Sequence, residues 1–172
     1  MSTMKVLICQ EIKNLVWEVR ERPVPGDNEA LIKIKTVGIC GTDIHAWAGN
    51  QPFFSYPRVL GHEICGEIIE SGKNIHNFNI GQQVAVIPYI SCQQCPACKS
   101  GRTNCCEKIS VIGVHQDGGF SEYLSVPVAN ILPADGIDPQ AAALIEPFAI
   151  SAHAVRRAAI APSEQVLVVG AG

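Results

Sequence analysis

With 172 residues, 47% of them apolar, the chain can build the core of one ordinary domain, or of one domain and the beginning of another. A formal net charge of −3 without a Lys/Arg cluster argues against nucleic acid or an anionic membrane surface as partner. Apolar runs such as Ala141 to Ile145 are far too short to span a bilayer, and Met-Ser-Thr-Met-Lys opens no signal-peptide pattern, so the expected compartment is the cytosol.

Lys5 to Cys9 and Leu15 to Arg20 read as short strands, and Pro23, Pro25 and Gly26 mark a turn after them. Glu29 to Val37 alternates at period two, as a half-buried strand does. It leads into Gly38-Ile39-Cys40-Gly41-Thr42-Asp43-Ile44-His45, where the glycines permit a sharp turn among four polar, reactive side chains. Trp47 to Tyr56 is an aromatic-rich loop whose Trp47 and Phe53 are candidate pocket walls. Ile64 to Glu70, Gln83 to Pro88 and Phe120 to Val126 read as further strands between Gly- and Pro-rich turns, which argues for a small β-barrel or sandwich. Cys9 and Cys65, in apolar strands, read as packed core residues. From Asp138-Pro139 the texture turns helical, with a break at Glu146-Pro147 and a second helix to about Ala159. Gln165 to Val169 reads as a buried strand running into Gly170 and Gly172, a weak dinucleotide-turn signal.

Eight cysteines are many for a cytosolic chain, and four of them, Cys92, Cys95, Cys98 and Cys106, sit at metal-ligand spacing. Three thiols at two-residue gaps and a fourth after a loop containing Gly101 can close a tetrahedron around a structural zinc. Cys105 abuts Cys106, so spacing leaves open which of the two is the ligand, and an iron–sulfur cluster is a second way to use four thiolates. A second group, Cys40, His62 and Glu63, offers the sulfur, nitrogen and oxygen donors of a catalytic zinc with an open position. Asp43 is placed to accept the second ring proton of His62, and Thr42 and His45 to relay a proton to solvent. His76, His115 and His153 read as surface or packing residues.

These blocks, together with Gly118-Gly-Phe-Ser-Glu-Tyr and Glu146-Pro147, resemble the zinc-containing medium-chain alcohol and polyol dehydrogenases, in particular the sorbitol dehydrogenase-like branch. The resemblance implies a mainly β, partly open β-barrel catalytic domain of the chaperonin-10 (GroES-like) type over 1–145, with a zinc lobe at about 91–107. It implies that 146–172 begins a Rossmann domain, which the family pattern continues well beyond Gly172. It further implies one catalytic and one structural zinc, NAD bound through Gly170 and Gly172, and Glu146 approaching the metal, so that Glu63 and Glu146 compete as third protein ligand. The expected reaction is oxidation of a secondary alcohol of a polyol or sugar acid, with L-galactonate the expected substrate, by a homo-oligomer in full-length form. Two rival expectations are a non-catalytic zinc-binding or interaction module and a zinc-free reductase of the same fold; Cys40, His62 and the four-thiol lobe argue against the second.

Overall fold

The structure, a computed structural model, describes residues 2–52 and 54–170. Phe53 and Gly172, named above as pocket wall and cofactor contact, lie outside the described residues.

The expected strands form. β1 (Thr3–Glu11) and β2 (Asn14–Glu21) make an antiparallel hairpin, and β4 (Arg58–Val59) adds to the other edge of β1. A five-stranded antiparallel sheet in the order β10-β6-β5-β3-β9 is built from β3 (Glu29–Gly38), β5 (Glu63–Ser71), β6 (Gln83–Val86), β9 (Tyr123–Pro127) and β10 (Ile131–Pro133). A short pair, β7 (Tyr89–Ile90) with β8 (Ser110–Val111), brackets the cysteine lobe. The sheets stay open and do not close into a barrel.

One face of the large sheet carries Ala30, Ile32, Ile64, Ile68, Val84 and Val126, all buried, and forms the main core. The other face is also covered. Cys65 and Ala85 pack there against Ala142 and Ala143 of α3 (Pro139–Ala143), whose small side chains let the helix approach closely. That is why Ala30, Leu31 and Ile32 are buried in succession where alternation predicts a half-buried strand. Asp138 caps α3 by accepting from the backbone N–H of Gln140 and Ala141 at 3.0 and 3.2 Å.

Two elements depart from the sequence reading. Gly41–Ala48 is a helix, α1, where a turn is expected. Gln165 to Gly170 forms no strand, and Leu167 and Val169 are 86% and 85% exposed. A strand needs ladder partners, and the described residues offer none to this run. After α3, α4 (Ile145–Ala158) starts at the Glu146-Pro147 break as expected, with no residue of it buried.

Candidate metal centres

Cys40, His62 and Glu63 converge because β3 and β5 are paired and their flanking turns are stapled together. Cys40 follows β3 by two residues in extended backbone (φ −82°, ψ 157°) and is the residue before the first turn of α1. Its backbone N–H donates to Asp43 Oδ2 at 2.8 Å, while the Gly61 N–H donates to Asp43 Oδ1 at 3.0 Å. One buried carboxylate therefore fixes both the turn that presents Cys40 and the turn that presents His62 and Glu63. Gly61 takes φ +90°, a left-handed value suited to glycine, and a Cβ there would strike Phe120. Gly38 lies opposite Glu63 in the β3–β5 register, and only its missing side chain leaves room for the Glu63 carboxylate.

The donor atoms of Cys40, His62 and Glu63 lie within 4.8 Å of one another, with His62 6% and Glu63 7% exposed. Among the described residues, the buried His62 Nδ1 has no hydrogen-bond partner. Asp43 does not play the expected role toward it. The Nδ1–Oδ1 distance is 3.8 Å, beyond hydrogen-bond range, because both Asp43 oxygens are already turned to backbone N–H groups. A half-buried thiol beside a buried imidazole and a buried carboxylate, with one ring nitrogen unpaired among the described residues, fits a zinc ion, which takes all three donor types.

Thr42 Oγ1 is 3.7 Å from Cys40 Sγ, at the edge of this trio, and His45 lies one turn further along α1, exposed to solvent. Trp47, 37% exposed, lines an apolar cleft with Leu15, Ile39, Ile44 and Phe120. Glu146 is not among the converging donors. It sits in the first turn of α4, where its Oε1 accepts from the Tyr89 hydroxyl at 2.6 Å. Both residues line a cleft of about 630 Å³ with Val86, Ile109, Ile145 and His153. Burial pushes the Tyr89 hydroxyl well above the ordinary phenol range, with the Glu146 carboxylate and the charges of Cys40 and Glu63 adding to the shift. Tyr89 was not singled out from the sequence; its signal was a lone aromatic hydroxyl in an apolar run leading to the cysteine lobe.

The lobe is built as its spacing implies. Cys92, Cys95, Cys98 and Cys106 converge to within 4.8 Å, and the exposed Cys105 is the thiol left out. Pro96 starts the short helix α2 (Pro96–Lys99), placing Cys95 before it and Cys98 inside it. Backbone N–H groups point at sulfur: Cys95 to Cys92 Sγ at 3.4 Å, and both Cys92 and Lys108 to Cys106 Sγ at 3.3 Å. The N–H groups of Gln94 and Cys95 draw the Cys92 thiol down, and those of Cys98 and Glu107 do the same for Cys95. Burial pushes Cys98 up. Four converging sulfurs with N–H donors aimed at them fit a closed tetrathiolate site.

Residues 26–136 match the model of the alcohol dehydrogenase GroES-like domain. Over all 172 residues the chain is 88% identical to the L-galactonate-5-dehydrogenase of Escherichia coli K12, of which it covers 51%. It is 44% identical over 170 residues to an uncharacterized zinc-type alcohol dehydrogenase-like protein of Haemophilus influenzae, covering 49% of it. Among solved structures, the alcohol dehydrogenase RspB of Escherichia coli CFT073 in complex with NADH superposes with a TM-score of 0.85 at 39% identity, over 91% of this chain and 46% of that one. The chain spans about half the length of the curated relatives it matches. Since the family match runs from β3 through both groups of converging donors to β10, the chain belongs to the alcohol dehydrogenase GroES-like domain family.

Proposed function

We propose that this chain carries the catalytic domain of a zinc- and NAD-dependent dehydrogenase that oxidises a secondary alcohol of a sugar acid, L-galactonate, to the ketone. The convergence of Cys40, His62 and Glu63 carries the reading. The 88% identity to an L-galactonate-5-dehydrogenase supports the substrate, and the NADH complex of a 39% identical relative supports the cofactor.

Cys40, His62 and Glu63 would hold the catalytic ion, and Cys92, Cys95, Cys98 and Cys106 the structural one. When bound, the catalytic zinc supplies Lewis acidity that draws the substrate hydroxyl's pKa towards neutrality. The reaction moves a hydride from the carbinol carbon to the nicotinamide and releases the hydroxyl proton. Thr42 accepts that proton at the edge of the trio while passing its own to His45, whose exposed ring returns it to water. Gly170 would begin the nucleotide-binding turn. The protein works in the cytoplasm on a small polyol or sugar acid, as a homo-oligomer in its whole form.

The test is NADH formation by the zinc-loaded protein extended through its nucleotide-binding domain, with L-galactonate, sorbitol and L-threonine as competing substrates. Preferential turnover of L-galactonate, lost in Cys40→Ala, supports the reading. Absence of turnover with every alcohol in protein that holds both zincs sinks it.

A further inference from the structure

We propose that Tyr89 is a positioning residue that keeps the Glu146 carboxylate out of the ligand set at Cys40, His62 and Glu63, leaving one coordination position for the substrate hydroxyl. The inference rests on the metal reading above and concerns how its open position is kept open.

Three observations carry it. Glu146 lies in the first turn of α4, which has no buried residue, so packing does little to fix where this carboxylate points. Among the described residues, the Tyr89–Glu146 hydrogen bond of 2.6 Å is the one side-chain hydrogen bond joining α4 to the β-sheet part of the chain. The pair stands on the same side of the sheet as the trio, since Ile145, next to Glu146, packs on the cluster that holds Cys65, two positions along β5 from Glu63, yet Glu146 is absent from the converging donors. A carboxylate free to swing toward a divalent cation is a natural fourth ligand. With four protein donors the site would be closed, as in the cysteine lobe, and an alcohol would have to displace one of them. A short hydrogen bond to a phenol is a way to restrain a carboxylate without adding positive charge that would oppose the metal.

Cobalt(II) is the probe, loaded into the purified protein. The visible spectrum of the Cys40→Ala variant is subtracted, so that the cysteine lobe cancels. Zinc release to a chelator is followed in parallel. Tyr89→Phe keeps the ring and removes only the hydroxyl. It is expected to change the cobalt band of the Cys40 site and to slow zinc release about tenfold, as an added ligand should. Adding Glu146→Gln to Tyr89→Phe is expected to restore the original spectrum and release rate, an outcome that loosened packing alone would not produce. Glu146→Gln by itself should leave both readouts where they were.

If Tyr89→Phe leaves spectrum and release rate unchanged while Cys40→Ala still removes a cobalt band, the metal reading stands and the role of Tyr89 is overturned. If Glu146→Gln alone speeds zinc release tenfold, Glu146 is already a ligand and the proposal also fails. If Cys40→Ala removes no band, the metal reading and this inference fall together.

Discussion

Gly38 faces Glu63 across the β3–β5 ladder, and the Glu63 carboxylate fills the space that a Cβ on Gly38 would take. A side chain at Gly38 would also stand 2.9 Å from Glu63 Cβ, so the ligand and not merely its tip must move. Gly38→Ala is therefore expected to lose the zinc at Cys40, His62 and Glu63 while keeping the lobe zinc, and to destabilise the fold by about 1–3 kcal/mol through overpacking. Zinc per chain and denaturant unfolding check both parts. Two zincs retained would refute the steric account.

Asp43 makes a second prediction. Its two oxygens accept from the backbone N–H groups of Cys40 and Gly61, and the residue is 3% exposed. Asp43→Ala leaves both donors without a partner and should cost about 2–4 kcal/mol. Asp43→Asn retains one acceptor and should cost less. Because Asp43 does not bond His62, the loss should appear first in unfolding curves and only secondarily in zinc affinity.

In the lobe, Cys105→Ser and Cys106→Ser should behave oppositely. Cys106 belongs to the four converging thiols and accepts two backbone N–H bonds, while Cys105 is exposed. Cys106→Ser is expected to lose one zinc per chain and Cys105→Ser none. Metal analysis of the two purified variants decides it.

Cys9 and Cys65 give a pH dependence with a definite sign. Burial raises both thiols above their ordinary value of 9.0, so the folded chain keeps these protons at alkalinity where the unfolded chain has released them. Their contribution to stability is complete below that ordinary value and is lost as pH rises through the raised ones. Denaturant midpoints should fall on the alkaline side, and Cys65→Ala should flatten the fall. Disulfide-exchange reagents should label exposed Cys105 at once and reach Cys9 and Cys65 only on unfolding.

Thr42→Val should keep zinc bound and slow turnover about a hundredfold, the usual worth of a positioned proton acceptor. Unchanged turnover would remove Thr42 from the relay.

What could be read from the sequence was mostly local. The strands through Val6, Ile32, Ile64 and Val84 show in their alternation, and Cys92, Cys95 and Cys98 show in their spacing, because those ligands lie within one short loop. α1 was hidden because Gly38 and Gly41 read as a sharp turn, although Cys40-x-x-Asp43 is a capping spacing and Gly49 ends the helix at φ +81°. The pairing of Tyr89 with Glu146 spans 57 positions and depends on how α4 meets β7, which no local pattern encodes. The staple made by Asp43 was half visible. Its nearness to His62 could be anticipated, but its commitment to two backbone groups follows from the tertiary turn at Gly61.

That staple and the lobe imply opposite orders of assembly. The Asp43 carboxylate ties the Cys40 and Gly61 turns together through hydrogen bonds that need no ion, so the pocket at Cys40, His62 and Glu63 should be in place before a metal arrives. The lobe has little beyond Ala97 and Ile109 to pack around its own sulfurs, so there the ion must come first and the chain wrap afterwards. Stripping metal from the protein would then melt a loop and leave an intact, waiting pocket.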